Sequence, residues 1–331
     1  MSYSPQRQLL DKLHAAVEWP IILAGIESQI FDLLAQPQTA ATVAIHYTWC
    51  DRKTALFLDA LCSLGLLSKQ DDHYELIDGY RTLLNSTHQD TMIPTLQHLT
   101  SIRVSSSKYV IDSLSTQERQ PTIKTNFSRP QFWGSATDNL RSFHRSVSST
   151  FYVDLLTALP HWSSCKRFLD IGAGSETLAN KLLELTPELQ CHLFDLDGVI
   201  EQIAKVTASQ SLNITLHKGD YNKGPLPARF DLVFASMSLY YAHNLEEVIS
   251  KIYQALTPGG CFVSIHEGLF NDRTQPARHV VGRFIPALNG NDVSFSQCEI
   301  VKTMADVGFI KIEHQSINTP FGPMDLDIGY R

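Results

Sequence analysis

The run Leu169-Asp170-Ile171-Gly172-Ala173-Gly174-Ser175-Glu176 sets two glycines one residue apart, just after a carboxylate that closes an apolar stretch. Lacking Cβ atoms, such glycines let the backbone turn sharply and approach a bound molecule. Further on, Phe194-Asp195 ends a second apolar stretch, roughly twenty residues past the glycines, where an acid accepts the hydroxyl protons of a ribose. A third cluster, Gly219-Asp220-Tyr221, joins an acceptor for an exocyclic amino group to a ring that can cover a base. Alone, each acid reads as an ordinary turn or helix cap. Three of them, each after a strand-like stretch, argue for a nucleoside ligand.

Two nucleoside classes compete. A dinucleotide lays an anionic pyrophosphate against the loop and uses a third glycine for close helix packing. Here Thr177 fills that slot and Asp170 adds negative charge. S-adenosylmethionine instead presents an ammonium and a sulfonium, which a carboxylate at the strand end favours.

Positioning these side chains requires a sheet. From Lys166 onward, strand-like runs (KRFLDI, QCHLFDL, ITLHKGD, RFDLVFAS, GGCFVSIHEG, FIKIEHQ) alternate with helical ones (ETLANKLLEL, VIEQIAKVTAS, LEEVISKIYQAL, CEIVKTMADV). That alternation predicts an open, mainly parallel α/β sheet with helices on both faces, and a ligand at the carboxyl ends of its strands. The first 88 or so residues read differently, as amphipathic helices with a break or kink expected at Pro20, a corner at Cys50-Asp51-Arg52-Lys53, and a short strand after Asp71-Asp72. Helices followed by a hairpin suggest a winged-helix unit. The expected organisation is a winged-helix-like dimerisation domain over 1–110, a helical linker over 111–160 with turns at Gln120-Pro121 and Ser128-Arg129-Pro130, and a Rossmann-like domain over 161–331.

A net charge of -7 with no basic run gives no electrostatic reason to expect nucleic acid as a partner. The amino terminus lacks a signal-peptide pattern, no apolar run is long enough for a bilayer, and the six cysteines follow no metal spacing. A cytoplasmic protein with reduced thiols and a small-molecule partner is expected.

The stretches LDIGAGSETLANKLLELTPELQCHLFDLDGVIEQIA, KGDYNKGPLP and LTPGGCFVSIHE resemble the class I S-adenosylmethionine-dependent methyltransferases, and more narrowly the small-molecule O-methyltransferases that carry an amino-terminal winged-helix dimerisation domain. The resemblance covers essentially the whole chain. It implies a seven-stranded sheet whose last strand, in FGPMDLDIGYR, is antiparallel, and a homodimer. It also implies that Asp170, Gly172 and Gly174 line the methionine part of the cofactor, Asp195 binds the ribose, and Asp220 and Tyr221 hold the adenine, with Leu196 among the cofactor-binding residues. Ser236 and Phe143 complete that set, Phe143 within Ser142–Val147, which resembles the family's cofactor-covering helix with Val147 where Met is common.

One position departs from the family. Its general-base histidine falls, in this chain, on Tyr240 within Ala235–Asn244. A phenol, with an ordinary pKa of about 10, is a poor base at neutral pH, whereas an imidazole near 6.5 suits the task. His243 and His266 are the alternative candidates, Glu267 is the candidate for a substrate-positioning acid, and Asn139 is placed to orient the amino-acid end. His243, His266, Glu267 and His279 match no metal-ligand spacing, and no metal is expected. Three functions remain open: a small-molecule methyltransferase that does not use the usual histidine, a cyclase of the azetidine-2-carboxylate synthase type that releases methylthioadenosine, and a non-catalytic regulator that senses the cofactor.

Overall fold

The structure, a computed structural model, describes residues 4–115, 130–208, 213–270 and 272–331. The turns expected at Gln120-Pro121 and Ser128-Arg129 lie outside the described residues. The chain divides into two compact units, Met1–Gln97 and His98–Arg331.

The first unit opens with α1 (Pro5–Glu27), capped by Ser4, whose hydroxyl accepts from the Arg7 amide. The break expected at Pro20 does not occur, and α1 runs through it. Pro20 and Ala16, the residue whose carbonyl loses its donor, are both exposed, so water satisfies the freed oxygen. There follow α2 (Ile30–Leu33), β1 (Gln38–Thr39), α3 (Ala40–Tyr47), α4 (Asp51–Ser63), β2 (Leu67–Gln70), β3 (His73–Leu76), α5 (Asp78–Arg81) and α6 (Ile93–Arg103), within which the division falls. The three strands pair antiparallel in the order β1-β3-β2, around a core that includes Ile26, Phe31, Leu58, Leu61 and Tyr74.

The second unit starts with α7 (Ser107–Ser115), α8 (Pro130–Phe143), a π-helical turn (His144–Ser148) and α9 (Ser149–Thr157). The alternating region then gives β4 (Arg167–Ile171), α10 (Thr177–Leu185), β5 (Gln190–Asp195), α11 (Asp197–Thr207), β6 (Ile214–Lys218), β7 (Phe230–Ser236), α12 (Leu245–Ala255) and β8 (Leu256–His266). It closes with β9 (Gly268–Leu269), α13 (Ala277–Gly282), α14 (Phe284–Leu288), β10 (Phe295–Ser296), α15 (Glu299–Val307), β11 (Lys311–Thr319) and β12 (Gly322–Tyr330).

Among the described residues the main sheet has seven strands, ordered β11-β12-β8-β7-β4-β5-β6. Strands β4 to β8 run parallel, and β12 runs antiparallel to both neighbours, as expected for the FGPMDLDIGYR segment. Strands sandwiched between helix layers bury both faces, which is why β4 and β7 read as nearly unbroken apolar runs. One face packs Phe168, Leu193, Phe234 and Val263; the other packs Leu169, Val233, Phe262 and Ile300. Each such side chain contributes about 1.5–3 kcal/mol by leaving water. The helices keep their side of the pattern: Asn244 caps α12 by accepting from the Glu247 amide at 3.2 Å, and Val248, Ile249, Ile252 and Ala255 face inward. Strand order reverses between β4 and β7, so the crevice at their carboxyl ends is where a ligand belongs.

Candidate active site

The crevice is floored by the turn after β4. Gly172 and Gly174 adopt φ of 69° and 64°, the left-handed region that glycine enters without penalty. A Cβ on Gly172 would lie 2.4 Å from the Ser238 Cβ, so the serine after β7 claims that space and donates its hydroxyl to the Ile171 carbonyl at 2.8 Å. Asp170 is buried, and its carboxyl has no hydrogen-bond partner among the described residues. Burial first, and the charge of Asp195 second, push it up to about 8. Burial also raises Asp195, to about 6, against the amides of Gly174 at 2.9 Å and Leu196 at 2.7 Å, which donate to one oxygen each. Each Asp195 oxygen retains acceptor capacity.

Asp220 lies at the lip. Burial raises its carboxyl, but the Asn222 amide at 2.9 Å and the Lys223 ammonium at 3.1 Å outweigh it and hold the group below its usual range. The neighbouring Tyr221 donates its hydroxyl to the Ser238 carbonyl at 2.7 Å, and its ring lies in the core cluster that includes Ile171 and Leu239.

The covering helix α8 packs onto this floor. A Cβ on Gly174 would stand 3.2 Å from both the His144 ring and the Leu140 side chain. Glu176, fully buried beside the glycine turn, receives the fork of Arg141, Nε at 2.8 Å and Nη2 at 3.2 Å, with Arg145 at 3.5 Å. The π-helical turn brings the His144 Nδ1 within 2.7 Å of the Ser175 hydroxyl, and burial pulls His144 down to about 4, so the ring is neutral. Asn139 is half-buried on α8, and Phe143 meets Phe321 edge-on at 5.5 Å.

Beyond β7 and β8 the side chains divide into two groups. Tyr240 sits in a 3-10 turn, Leu239–Tyr241; its hydroxyl oxygen accepts from the Glu267 amide at 2.8 Å and its ring stacks on Phe295 at 5.0 Å. His266 is buried, and its Nε2 accepts from the amides of Ser238 at 3.2 Å and Leu239 at 3.1 Å, leaving Nδ1–H for the Ser264 hydroxyl at 2.8 Å. Burial pulls it down to about 3, so this imidazole braces the loop after β7 as a neutral group. His243 stands apart, exposed, with only its backbone tied, to Asn222 Oδ1 at 2.8 Å.

Glu267 follows β8 directly and is half-buried. Burial raises its carboxyl, while His279 and Arg103 oppose that rise. His279 presents Nδ1 to Glu267 Oε1 at 3.8 Å and donates Nε2–H to the Pro323 carbonyl. Tyr152, absent from the sequence expectations, bonds Ser236 across 2.5 Å. Burial raises its phenol well above the usual range, the Ser236 hydrogen bond opposes that rise, and the charges of Glu267 and Asp170 add to it. Among the described residues no three His, Cys, Asp or Glu side chains gather as metal ligands. No described helix is long and apolar enough to cross a membrane.

Residues 122–309 match the O-methyltransferase domain family, more than half of this 331-residue chain. The tetracenomycin polyketide synthesis 8-O-methyl transferase of Streptomyces glaucescens is 24% identical over 330 residues, spanning 93% of this chain and 91% of that protein. An N,N-dimethyltransferase of Streptomyces rimosus is also 24% identical over 330 residues, spanning 96% and 94%. The solved structure of human N-acetylserotonin methyltransferase in complex with SAM shares the fold, with a TM-score of 0.75 at 21% identity over 100% of this chain and 99% of that one.

Proposed function

The chain belongs to the O-methyltransferase domain family and is an S-adenosylmethionine-dependent methyltransferase, and from that premise we propose a small-molecule acceptor of secondary metabolism whose proton passes to the Glu267–His279 pair. The observation that carries the cofactor's place is the buried carboxyl of Asp170 beneath the glycine turn, without a hydrogen-bond partner among the described residues. A buried acid without a donor is costly as an anion, and a ligand bearing an ammonium and a sulfonium supplies what it lacks. Gly172 and Gly174 would line the methionine part, Asp195 and Leu196 the ribose, and Asp220 the adenine amino group. When bound, the cofactor supplies an electrophilic methyl group.

Tyr240 positions rather than accepts. Its hydroxyl oxygen is already engaged by the Glu267 amide, and its ring is held by Phe295. The Glu267 carboxyl, raised by burial and backed by His279, is the better proton acceptor for an acceptor hydroxyl. Proximity and orientation then supply much of the remaining acceleration. The Streptomyces rimosus relative is named an N,N-dimethyltransferase, so an amine acceptor belongs in the substrate screen. Self-association through α1 accompanies this reading, because Leu9, Leu10, Leu13 and Val17 are exposed along it.

Incubating the protein with S-adenosylmethionine, alone and with a panel of phenols and amines, tests the proposal by mass spectrometry. S-adenosylhomocysteine with a methylated acceptor supports it. Methylthioadenosine from the cofactor alone would instead establish cyclisation and overturn it.

A further inference from the structure

A second cluster of reactive groups gathers where the β11–β12 hairpin meets the start of α15, beside a small recess that Glu267 and His266 also line. His314 and Asp327 are directly opposed partners in the hairpin register, and the His314 Nδ1 lies 2.6 Å from Asp327 Oδ1. Asp327 is almost fully buried, whereas a quarter of the imidazole is open to solvent. A carboxylate accepting from Nδ1–H leaves Nε2 as the bare nitrogen, and that nitrogen stands 3.5 Å from the Sγ of Cys298. The thiol is free and exposed. It sits on a left-handed residue, φ 62°, immediately before α15 (Glu299–Val307), and its carbonyl already accepts from the Lys302 amide. The first-turn amides of α15 therefore open toward the cysteine without intrahelical partners of their own.

Nucleophile, base and orienting acid in this order are the arrangement that activates a weak nucleophile. We propose that Cys298 takes an acyl group from small thioesters or activated esters, with His314 as its general base and Asp327 orienting the imidazole. Burial, then the charges of Asp325 and Asp327, hold the thiol above its usual range, so the resting group is S–H and its proton leaves during attack. In that step the Sγ–carbon bond forms while the proton passes to His314 Nε2. The bond from the carbonyl carbon to the leaving oxygen or sulfur then breaks, and the departing alkoxide or thiolate takes the proton back from the imidazolium. Asp327 remains a carboxylate throughout. The products are an S-acyl cysteine and a free alcohol or thiol. The recess beside the thiol, about 10 Å³, has room for a water-sized group only. The acyl chain must extend into solvent, and small, unbranched acyl donors fit best.

Cys50 is an internal control. It too is free and exposed, and it caps the longer helix α4, but no imidazole is paired with it among the described residues. The full chain would be treated with p-nitrophenyl acetate at neutral pH and the acetylated peptides quantified over time. Cys298 is expected to be acetylated at least roughly tenfold faster than Cys50, at the low end of general-base assistance because the site is open to water. His314→Gln should bring the Cys298 rate down to that of Cys50, and the unchanged Cys50 rate in that variant would show that the thiol chemistry elsewhere is intact. Equal rates at the two cysteines in the native chain would overturn the proposal, as would a His314→Gln or His314→Asn variant that acetylates Cys298 at the native rate.

Discussion

At the scale of single residues, Asp170 makes the strongest statement. Its folded pKa of about 8 stands far above the ordinary 3.8, so the folded chain binds a proton that the unfolded chain has released. The linked stability is present below the unfolded value and is lost as pH rises through the folded one. Urea denaturation of the free protein should therefore show stability falling between pH 3.8 and about 8 on this account, and Asp170→Asn should remove that part of the slope. Cofactor binding near pH 7 should expel about one proton, measurable by calorimetry in buffers of different ionisation enthalpy, and the variant should release none. Glu267 and Tyr240 separate in the same way. Glu267→Gln is expected to lower kcat by about 10²- to 10⁴-fold if it takes the acceptor's proton. Tyr240→Phe removes one hydrogen-bond acceptor and should cost no more than about tenfold. A collapse of kcat in Tyr240→Phe with Glu267→Gln near native would reverse the two roles.

At the scale of elements, the contact that organises the crevice is α8 on the turn after β4. Glu176 is buried with no exposure, and the Arg141 fork supplies most of its compensation. Removing one member of a buried pair strands the other, so Arg141→Met should cost about 3 kcal/mol in urea denaturation. Replacing both, as Arg141→Met with Glu176→Met, should recover much of that loss. If the single and double variants are equally unstable, the pair is not what holds the helix down. The π-helical turn at His144–Ser148 belongs to the same device, since it carries the His144 ring to Ser175. Such turns insert one residue into a helix and are frequent at functional sites.

At the scale of the whole molecule, the exposed apolar residues of α1 are the feature to test. Leu10, Leu13 and Val17 recur at three- and four-residue spacing, each more than half exposed. A Leu10→Glu, Leu13→Glu variant should halve the mass seen by light scattering if α1 is the seam between two copies. An unchanged mass would move the seam elsewhere. The architecture was largely legible in the sequence, because strand and helix periods are local and the α/β alternation from Lys166 to the antiparallel β12 reports them directly. The acids after β4, β5 and β6 were legible for the same reason, each lying at a strand end. What was not legible are the convergences: Arg141 onto Glu176, His279 onto Glu267, Tyr152 onto Ser236, His314 between Asp327 and Cys298. These depend on strand order and on how helices lie across the sheet, which no local period encodes. The i, i+4 spacing of Arg141 and Arg145 opposite a lone acid beside the glycine turn was the one available signal. The helix continues past Pro20 for the complementary reason, since the cost of a proline depends on whether water reaches the freed carbonyl.

The two exposed cysteines fall on different units, Cys50 on the first and Cys298 on the second. Because their surroundings differ, they can be labelled one after the other, with a donor dye on the faster thiol and an acceptor dye on the slower. The native chain thus carries attachment points for a spectroscopic ruler that reads the separation of its units in solution, one molecule at a time, before and after the cofactor is added.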